Sequence, residues 1–118
     1  MQRTRDNSLT VSIAATLAVA ALIGVATLTP TQNPGVPGTD KSQHLIAFAA
    51  LALPLSFSRP PFAPWIVLAA IGYGGAIELI QPFVGRSREG LDLLADAMGA
   101  IMGGGTGIGL SWLRGRLQ

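Results

Sequence analysis

The chain has 118 residues, of which 49% are hydrophobic and only 12% are charged, with a formal net charge of +2 and no cysteine. Soluble domains carry about 25% charged residues, so this composition argues against an ordinary soluble protein and against disorder. The missing cysteines exclude disulfides, thiolate metal sites and a cysteine nucleophile. Basic residues are scattered and aromatic residues make up 6% of the chain, so we expect no nucleic-acid partner.

The first apolar segment, from Leu9 to Leu28, contains no charged residue. Its length is enough for a helix to cross about 30 Å of hydrocarbon. Arg3 and Arg5 precede it and small residues occupy positions 18–20, which are features of a secretory signal peptide. The run is longer than the apolar part of a usual signal peptide, and more apolar segments follow. We therefore expect an uncleaved first transmembrane helix.

Three further apolar segments follow, separated by turns rich in proline and glycine. The second runs from Asp40 to Phe57, and its Pro54 predicts a kink or the start of the exit from the helix. The third runs from Phe62 to Gln81 and the fourth from Leu91 to Leu113. These segments are continuously apolar rather than alternating, which argues against a β-barrel. The sequence predicts an all-α integral membrane bundle of four transmembrane helices in up-down order.

Lysine and arginine residues near the ends of the segments predict the orientation of the bundle. With the N-terminus inside, five basic residues fall on the inner side and three on the outer side. The inner ones are Arg3, Arg5, Arg59, Arg114 and Arg116, and the outer ones are Lys41, Arg86 and Arg88. We therefore expect cytoplasmic termini at residues 1–8 and 114–118, on either side of a membrane domain at residues 9–113.

Polar residues of the last three segments gather at one end of each segment. Up-down threading brings these ends to the same side of the membrane, the outer side. They are Asp40, Lys41 and His44 in the second segment, Glu78 and Gln81 in the third, and Asp92 and Asp96 in the fourth. Spacings of three or four residues place the polar side chains of each segment on one helix face. Ionisable residues inside a membrane normally face the bundle interior, so we expect one polar site.

Some of these residues also suit simpler roles. Asp40 and Asp92 are favourable at helix N-termini, where a carboxylate accepts hydrogen bonds from free backbone N–H groups. His44 also suits a buried polar residue bonded to a carbonyl group. Glu78 and Asp96 lie about one turn inside the apolar boundary, where a charge without a partner is costly. These two residues therefore carry most of the argument for a site.

Glycines in the last two segments predict close contacts between helices, because a missing side chain lets two backbones approach. In the fourth segment they recur at four-residue intervals, and in the third they form a short cluster. The two sets are Gly99, Gly103, Gly105, Gly107 and Gly109, and Gly72, Gly74 and Gly75.

Four motifs, in order, resemble the VanZ-like family of bacterial membrane proteins. They are Asp40-Lys41-x-x-His44, Glu78-x-x-Gln81 after Tyr73-Gly74, Gly85-Arg86, and Asp92-x-x-x-Asp96-x-x-Gly99. The last motif often carries Asn where this chain has Asp96. The resemblance covers residues 40–103 and implies a multi-pass protein of the bacterial inner membrane that serves the cell envelope. The family is named after a teicoplanin resistance factor, so the resemblance also implies a link to antibiotic resistance.

The first of three candidate functions is a membrane-embedded enzyme or binding site for an envelope lipid or a lipoglycopeptide-type ligand. Its candidate catalytic residues are His44, Glu78 and Asp92, and its candidate ligand-binding residues are Asp40, Lys41, Gln81, Arg86 and Asp96. Lys41 and Arg86 suit an anionic group. A divalent cation is compatible with His44 and the carboxylates, but the pattern does not require one and matches no known metal motif.

The second candidate is a structural or partner-binding membrane protein, and the third is a proton-coupled transporter. Polar bonds between membrane helices average about 0.6 kcal/mol, and this many polar groups at one depth exceed what packing requires. We expect no polar residues along a path through the inner half of the bundle, which disfavours transport. The candidates therefore rank as binding or catalytic site, structural protein and transporter. A homo-oligomer is compatible with all three.

Overall fold

The computed structural model describes residues 2–28, 39–84 and 90–117. These residues form four α-helices and two short 3-10 helices. The α-helices are α1 (Gln2–Leu28), α2 (Thr39–Ser58), α3 (Ala63–Ile80) and α4 (Gly90–Leu117), and the 3-10 helices are Pro60–Phe62 and Gln81–Val84. The prediction of an all-α protein with four helices is confirmed.

Three of the four helices are long and apolar enough to cross a membrane. The apolar stretches are Asn7–Leu28, Pro60–Phe83 and Leu91–Leu117, whereas that of α2, Ser42–Ser58, is shorter. Pro54 lies inside α2, and the helix continues through it to Ser58. The membrane-spanning lengths predicted from the sequence are thus confirmed for α1, α3 and α4.

Helix boundaries differ from the prediction at both ends of the chain. α1 begins at Gln2, well before the start of the apolar segment, and α4 continues to Leu117. Arg114 and Arg116 lie in the last turn of α4. Basic side chains there interact favourably with the negative end of the helix dipole and extend the helix beyond its apolar part.

Contacts between helices show that neighbouring helices in the chain run in opposite directions. Tyr73 of α3 is bonded to Ala20 of α1, and Gln81, just after α3, is bonded to Thr27 of α1. The two donor residues and their two partners in α1 follow in the same order along the chain, so α1 and α3 run parallel. α2 runs the other way, since its last residue, Ser58, contacts the first half of α1.

α4 lies against α2 along a row of glycines. The row comprises Gly99, Gly103 and Gly107, which face Leu45, Ala49 and Leu53 of α2 in that order. A Cβ added at Gly99 or Gly103 would overlap a backbone carbonyl oxygen of α2. Only glycine therefore allows the two helices to approach this closely. The order of the contacts also makes α2 and α4 parallel, as the up-down arrangement requires.

The remaining glycines behave differently from the prediction. Gly74 packs against Phe48 and Asp96, whereas a Cβ added at several other glycines would meet no described atom within 4 Å. Those glycines are Gly72, Gly75, Gly105 and Gly109. The expected close packing at these four positions is therefore wrong. Spacing shows which glycines share a helix face, but it does not show which face meets a neighbour.

The core of the bundle is built mainly by α2, α3 and α4. Phe48, Ala52 and Ala100 are fully buried at its centre. Only 11% of the apolar window of α1 is buried, against 39% of that of α4. α1 therefore lies at the edge of the core, to which it contributes Ile23.

Candidate functional site

His44 of α2 lies between the two acidic side chains of α4. Its Nδ1 is 2.6 Å from Oδ1 of Asp96, and its Nε2 is 4.0 Å from Oδ2 of Asp92. Asp92 and Asp96 are four residues apart and therefore stack on one face of α4. The structure thus brings together three of the predicted site residues around one imidazole ring.

Asp96 is placed to orient this ring rather than to meet a ligand. Its side chain is 2% exposed, against 12% for His44. A Cβ added at Gly74 would lie 2.8 Å from Oδ2 of Asp96, so α3 covers the carboxyl group directly. When Asp96 is ionised, its carboxylate accepts a hydrogen bond from Nδ1–H of His44, which leaves Nε2 on the side of Asp92 for proton exchange.

The two polar residues of the third segment are also buried. Glu78 is 6% exposed and Gln81 is 2% exposed. Nε2 of Gln81 donates to the backbone carbonyl of Thr27, 3.3 Å away, whereas Oε1 is buried with no hydrogen-bond partner among the described residues. Glu78 lies one turn beyond Gly74 on the same face of α3. Since Gly74 packs against Asp96, Glu78 lies at the same end of the bundle as Asp92.

The residues predicted to bind an anion lie outside what the structure describes. The backbone of Asp40 and Lys41 belongs to the first turn of α2, but their side chains are not described, and Arg86 falls in the undescribed range 85–89. Within the described ranges, no group of three or more His, Asp or Glu side chains is placed to hold a metal ion. The described cluster is therefore one histidine with buried carboxyl and amide groups.

A cavity of about 330 Å³ lies between α1 and this cluster. One end is polar and the rest is apolar. The polar end is lined by Gln43, His44 and Asp92, and the apolar part by Val19, Ile23 and Phe48. Binding pockets typically combine apolar walls with a few well-placed polar groups. This cavity therefore suits an amphipathic ligand, with its polar group at the imidazole and its apolar part along α1.

The two ends of the bundle differ in chemistry. All acidic side chains that the structure describes lie at one end, which we call the carboxylate end: Glu78, Asp92 and Asp96. The opposite end carries Arg59, Arg114 and Arg116 at the ends of α2 and α4, and we call it the arginine end.

Hydroxyl groups cluster at the arginine end. Oγ of Ser58 is 3.2 Å from Oγ of Ser8 and 2.5 Å from Oγ of Ser12. The expectation that this half of the bundle contains no polar residues along a path is therefore wrong. The two polar ends are separated by the apolar layer of Phe48, Ala52 and Ala100, which is fully buried.

Sequence reasoning missed two features of the site and its surroundings. Ser8 and Ser12 are four residues apart on one face of α1, and this spacing was a usable signal for a contact with α2. The hydroxyl of Tyr73 donates to the backbone carbonyl of Ala20 at 2.5 Å. No pattern in the sequence could have revealed that bond, because its acceptor is a backbone atom.

Comparison of this chain with family models, with curated proteins and with solved structures finds no match. Its function is therefore inferred from its own residues. The described cluster offers a histidine that can exchange protons, a buried carboxyl group that fixes its orientation, and a cavity with one polar end.

Proposed function

We propose that the chain is a VanZ-like protein that spans the bacterial inner membrane four times, with both termini in the cytoplasm. Three helices have the necessary length and apolar character. When the charged first turn of α2 lies at the interface, its apolar stretch Ser42–Ser58 rises about 25 Å, which is near the lower limit of length for crossing the hydrocarbon. The excess of basic residues at the arginine end favours a cytoplasmic position for that end. The carboxylate end then faces the periplasm.

In this proposal the carboxylate end binds, or acts on, an envelope lipid or a lipoglycopeptide-type ligand. The observation that carries it is the position of His44, which Asp96 holds on the wall of a cavity that is otherwise mostly apolar. A polar headgroup fits beside His44 and Asp92, and a hydrocarbon chain fits along α1. A ligand with both parts is what the outer leaflet of the inner membrane supplies.

The residues have distinct roles under this proposal. His44 exchanges a proton with the ligand or donates a hydrogen bond to it, and Asp96 positions the ring. Glu78 and Asp92 supply carboxyl groups, and Gln81 joins α3 to α1. Lys41 and Arg86 are the candidates for binding an anionic group, because Arg pairs with phosphate and carboxylate through two parallel hydrogen bonds. Asp40 is a further candidate ligand-binding residue.

The orientation is tested with a reporter enzyme that is active only in the periplasm. Fused after Gln118 it should be silent, and inserted at residues 33–36 it should be active. The reverse pattern would place the carboxylate end in the cytoplasm and would contradict a site for periplasmic ligands.

Native mass spectrometry of protein purified from bacterial membranes tests the ligand. We expect an envelope lipid to remain bound to the parent protein. Ala26 lies on the cavity wall and Ala18 on an exposed part of α1 outside it, so Ala26→Phe should lose the lipid and Ala18→Phe should keep it. Equal lipid retention by the two variants would contradict binding in this cavity.

A structural role is the alternative, because the His44–Asp96 bond joins α2 to α4. Glu78→Gln separates the two functions, since glutamine fills the same space without a charge or an exchangeable carboxyl proton. In a functional site it should abolish a lipoglycopeptide-resistance phenotype at normal protein levels. In a structural role the phenotype should remain. The fully buried apolar layer between the two polar ends argues against transport.

A further inference from the structure

A second cavity lies between α1 and α3, and it shares no lining residue with the first. It measures about 380 Å³ and is lined almost entirely by apolar atoms. Ala20 lies on its α1 wall, Leu55 of α2 on its floor, and Trp65 on its α3 wall. We call this cavity the α1–α3 groove.

The α1–α3 groove is closed at one end and has an aromatic rim at the other. Tyr73 closes it in the middle of the bundle, where its hydroxyl is bonded to the carbonyl of Ala20. Phe62 and Trp65 are 57% and 68% exposed and form the rim at the arginine end. Exposed aromatic residues at a helix end are typical of the membrane–water interface. The groove therefore opens where lipid headgroups lie.

The length of the groove indicates what fills it. From Ala63 to Tyr73, α3 rises about 15 Å at about 1.5 Å per residue. This is half of the roughly 30 Å hydrocarbon core of a bilayer, which is the depth of one leaflet. A transmembrane helix from a second copy would need a groove along the full height of α3. A single acyl chain needs only one leaflet.

The charged residues near the rim indicate which kind of lipid headgroup fits there. Arg59 follows α2 directly, and its backbone carbonyl accepts a hydrogen bond from the N–H of the rim residue Phe62 at 3.0 Å, so Arg59 lies beside the rim of the groove. Of the other arginines at this end, the two whose side chains the structure describes stack on aromatic rings: Arg114 lies 5.5 Å from the centroid of Phe57, and Arg116 lies 4.5 Å from that of Trp112. All acidic side chains that the structure describes lie at the carboxylate end, so an anion at this rim meets no described negative charge.

We propose that the α1–α3 groove binds one acyl chain of an anionic phospholipid, whose phosphate lies at Arg59. This site rests on membrane insertion from the proposed function but not on the ligand of the carboxylate end. It gives the chain a second lipid site, in the leaflet of the arginine end.

Tryptophan fluorescence tests this site in the intact chain. The chain has two tryptophans, so Trp112→Phe leaves Trp65 at the rim as the only one and keeps a ring beneath Arg116. This variant is placed in phosphatidylcholine vesicles that contain either brominated phosphatidylglycerol or brominated phosphatidylcholine as quencher. We expect phosphatidylglycerol to bind about fivefold more tightly at Trp65, the gain typical of one basic residue near a charged headgroup.

Two matched pairs of variants locate the site. Arg59→Gln should remove the preference for phosphatidylglycerol, and Arg114→Gln should keep it. Ala69 lines the groove, whereas Ala76 is exposed on α3 outside it. Ala69→Phe should therefore reduce quenching by phosphatidylglycerol to the level of phosphatidylcholine, and Ala76→Phe should leave it unchanged.

The results of these experiments distinguish failure of the anionic-lipid site from failure of membrane insertion. The anionic-lipid site would be overturned, with membrane insertion intact, if both lipids quenched the Trp112→Phe protein equally. A preference for phosphatidylglycerol that survives Arg59→Gln would overturn it in the same way. A dimer in native mass spectra that Ala69→Phe dissociates would also overturn it, because a second copy would then fill the groove. Failure of membrane insertion itself would appear as no quenching by either brominated lipid.

Discussion

The contact between α2 and α4 and the contacts made by α1 represent two ways of packing in one small bundle. α2 and α4 meet backbone to backbone along Gly99, Gly103 and Gly107. α1 instead meets its neighbours through a few hydrogen bonds and the apolar contacts of Ile23, and two cavities lie beside it. His44, Asp92 and Asp96 lie on α2 and α4, which we call the tight pair, whereas the cavity beside these residues is lined by the loosely packed α1.

This difference shows how a small helical bundle can combine a fixed site geometry with space for a ligand. A histidine and a carboxyl group keep a fixed geometry only when the helices that carry them are fixed, which the glycine row achieves for His44 and Asp96. A ligand needs space, and space remains where side chains do not interdigitate. The loosely packed α1 provides that space without disturbing the pair.

The largest expected effect comes from disrupting the glycine row. Gly103→Ala places a methyl group against the backbone of Ala49 and forces α2 and α4 apart. We expect it to lower the free energy of unfolding by about 3 kcal/mol, at the upper end for overpacking. Gly105→Ala is the control on the same helix, because its Cβ meets no described atom and alanine favours the helix. Unfolding in detergent, followed by circular dichroism, measures the stability of both variants. Equal losses of unfolding free energy would contradict the difference between the α4 face that meets α2 and the exposed face.

Removing the carboxyl group that orients His44 should have the next largest effect. Asp96→Ala removes the hydrogen bond to Nδ1 of His44, and we expect a loss of about 1–2 kcal/mol, as for strong polar contacts in membranes. Asp96→Asn keeps a hydrogen-bonding oxygen and should cost less than half of that. The same unfolding assay measures both variants. If Asn were as costly as Ala, the hydrogen bond would not be the stabilising interaction.

A smaller effect, confined to α1, is expected from Tyr73→Phe. The change removes one hydrogen bond to Ala20, worth about 0.6 kcal/mol in membranes. The chain has no cysteine, so single cysteines can report local opening. Maleimide labelling at Ile23→Cys in α1 should accelerate, and labelling at Ala100→Cys in α4 should not. Equal acceleration at both positions would show that α1 and the tight pair open together.

The smallest effect is expected from Ser12→Ala at the arginine end. Ser58 keeps Ser8 as a second partner, so the loss should stay below about 0.6 kcal/mol. Ser42→Ala, at an exposed position of α2, is the control and should have no effect. A loss for Ser12→Ala as large as that for Asp96→Ala would mean that α1 is held as firmly as α4.

Much of the fold could be predicted from the sequence because it follows from apolar length. The four helices and their alternation in direction follow from continuous apolar segments joined by short turns. The meeting of His44 with Asp92 and Asp96 follows from that alternation together with four-residue spacing. What the spacing could not give is the rotation of each helix about its axis. Gly105 and Gly109 have the same spacing as Gly99 and Gly103, yet only the second pair meets α2.

The cavities could not be predicted for a related physical reason. A cavity forms where the side chains of several helices leave a gap between them. The sequence of any one helix therefore contains no signal for it. Val19 and Ala20 are neighbours in α1, yet one lines the cavity beside His44 and the other lines the α1–α3 groove. In the sequence both are unremarkable small apolar residues of a membrane segment.

The glycine row has a consequence for how α4 is positioned along α2. A row that repeats every four residues does not by itself select one register, since a slide of four residues, about 6 Å at about 1.5 Å per residue, would again place two of its three glycines opposite α2. One direction of slide is blocked because Ala95 would take the place of Gly99 and its methyl group would overlap the carbonyl of Leu45.

The opposite slide is blocked by volume at the other end of the row. It would carry Ser111 to the place of Gly107, where a Cβ would lie 2.7 Å from a backbone oxygen of α2. It would also carry Ala100 to the place of Asp96, so that a methyl group would replace the carboxyl group bonded to Nδ1 of His44. The two ends of the glycine row, together with the aspartate that orients the imidazole, thus fix the vertical alignment of α2 and α4.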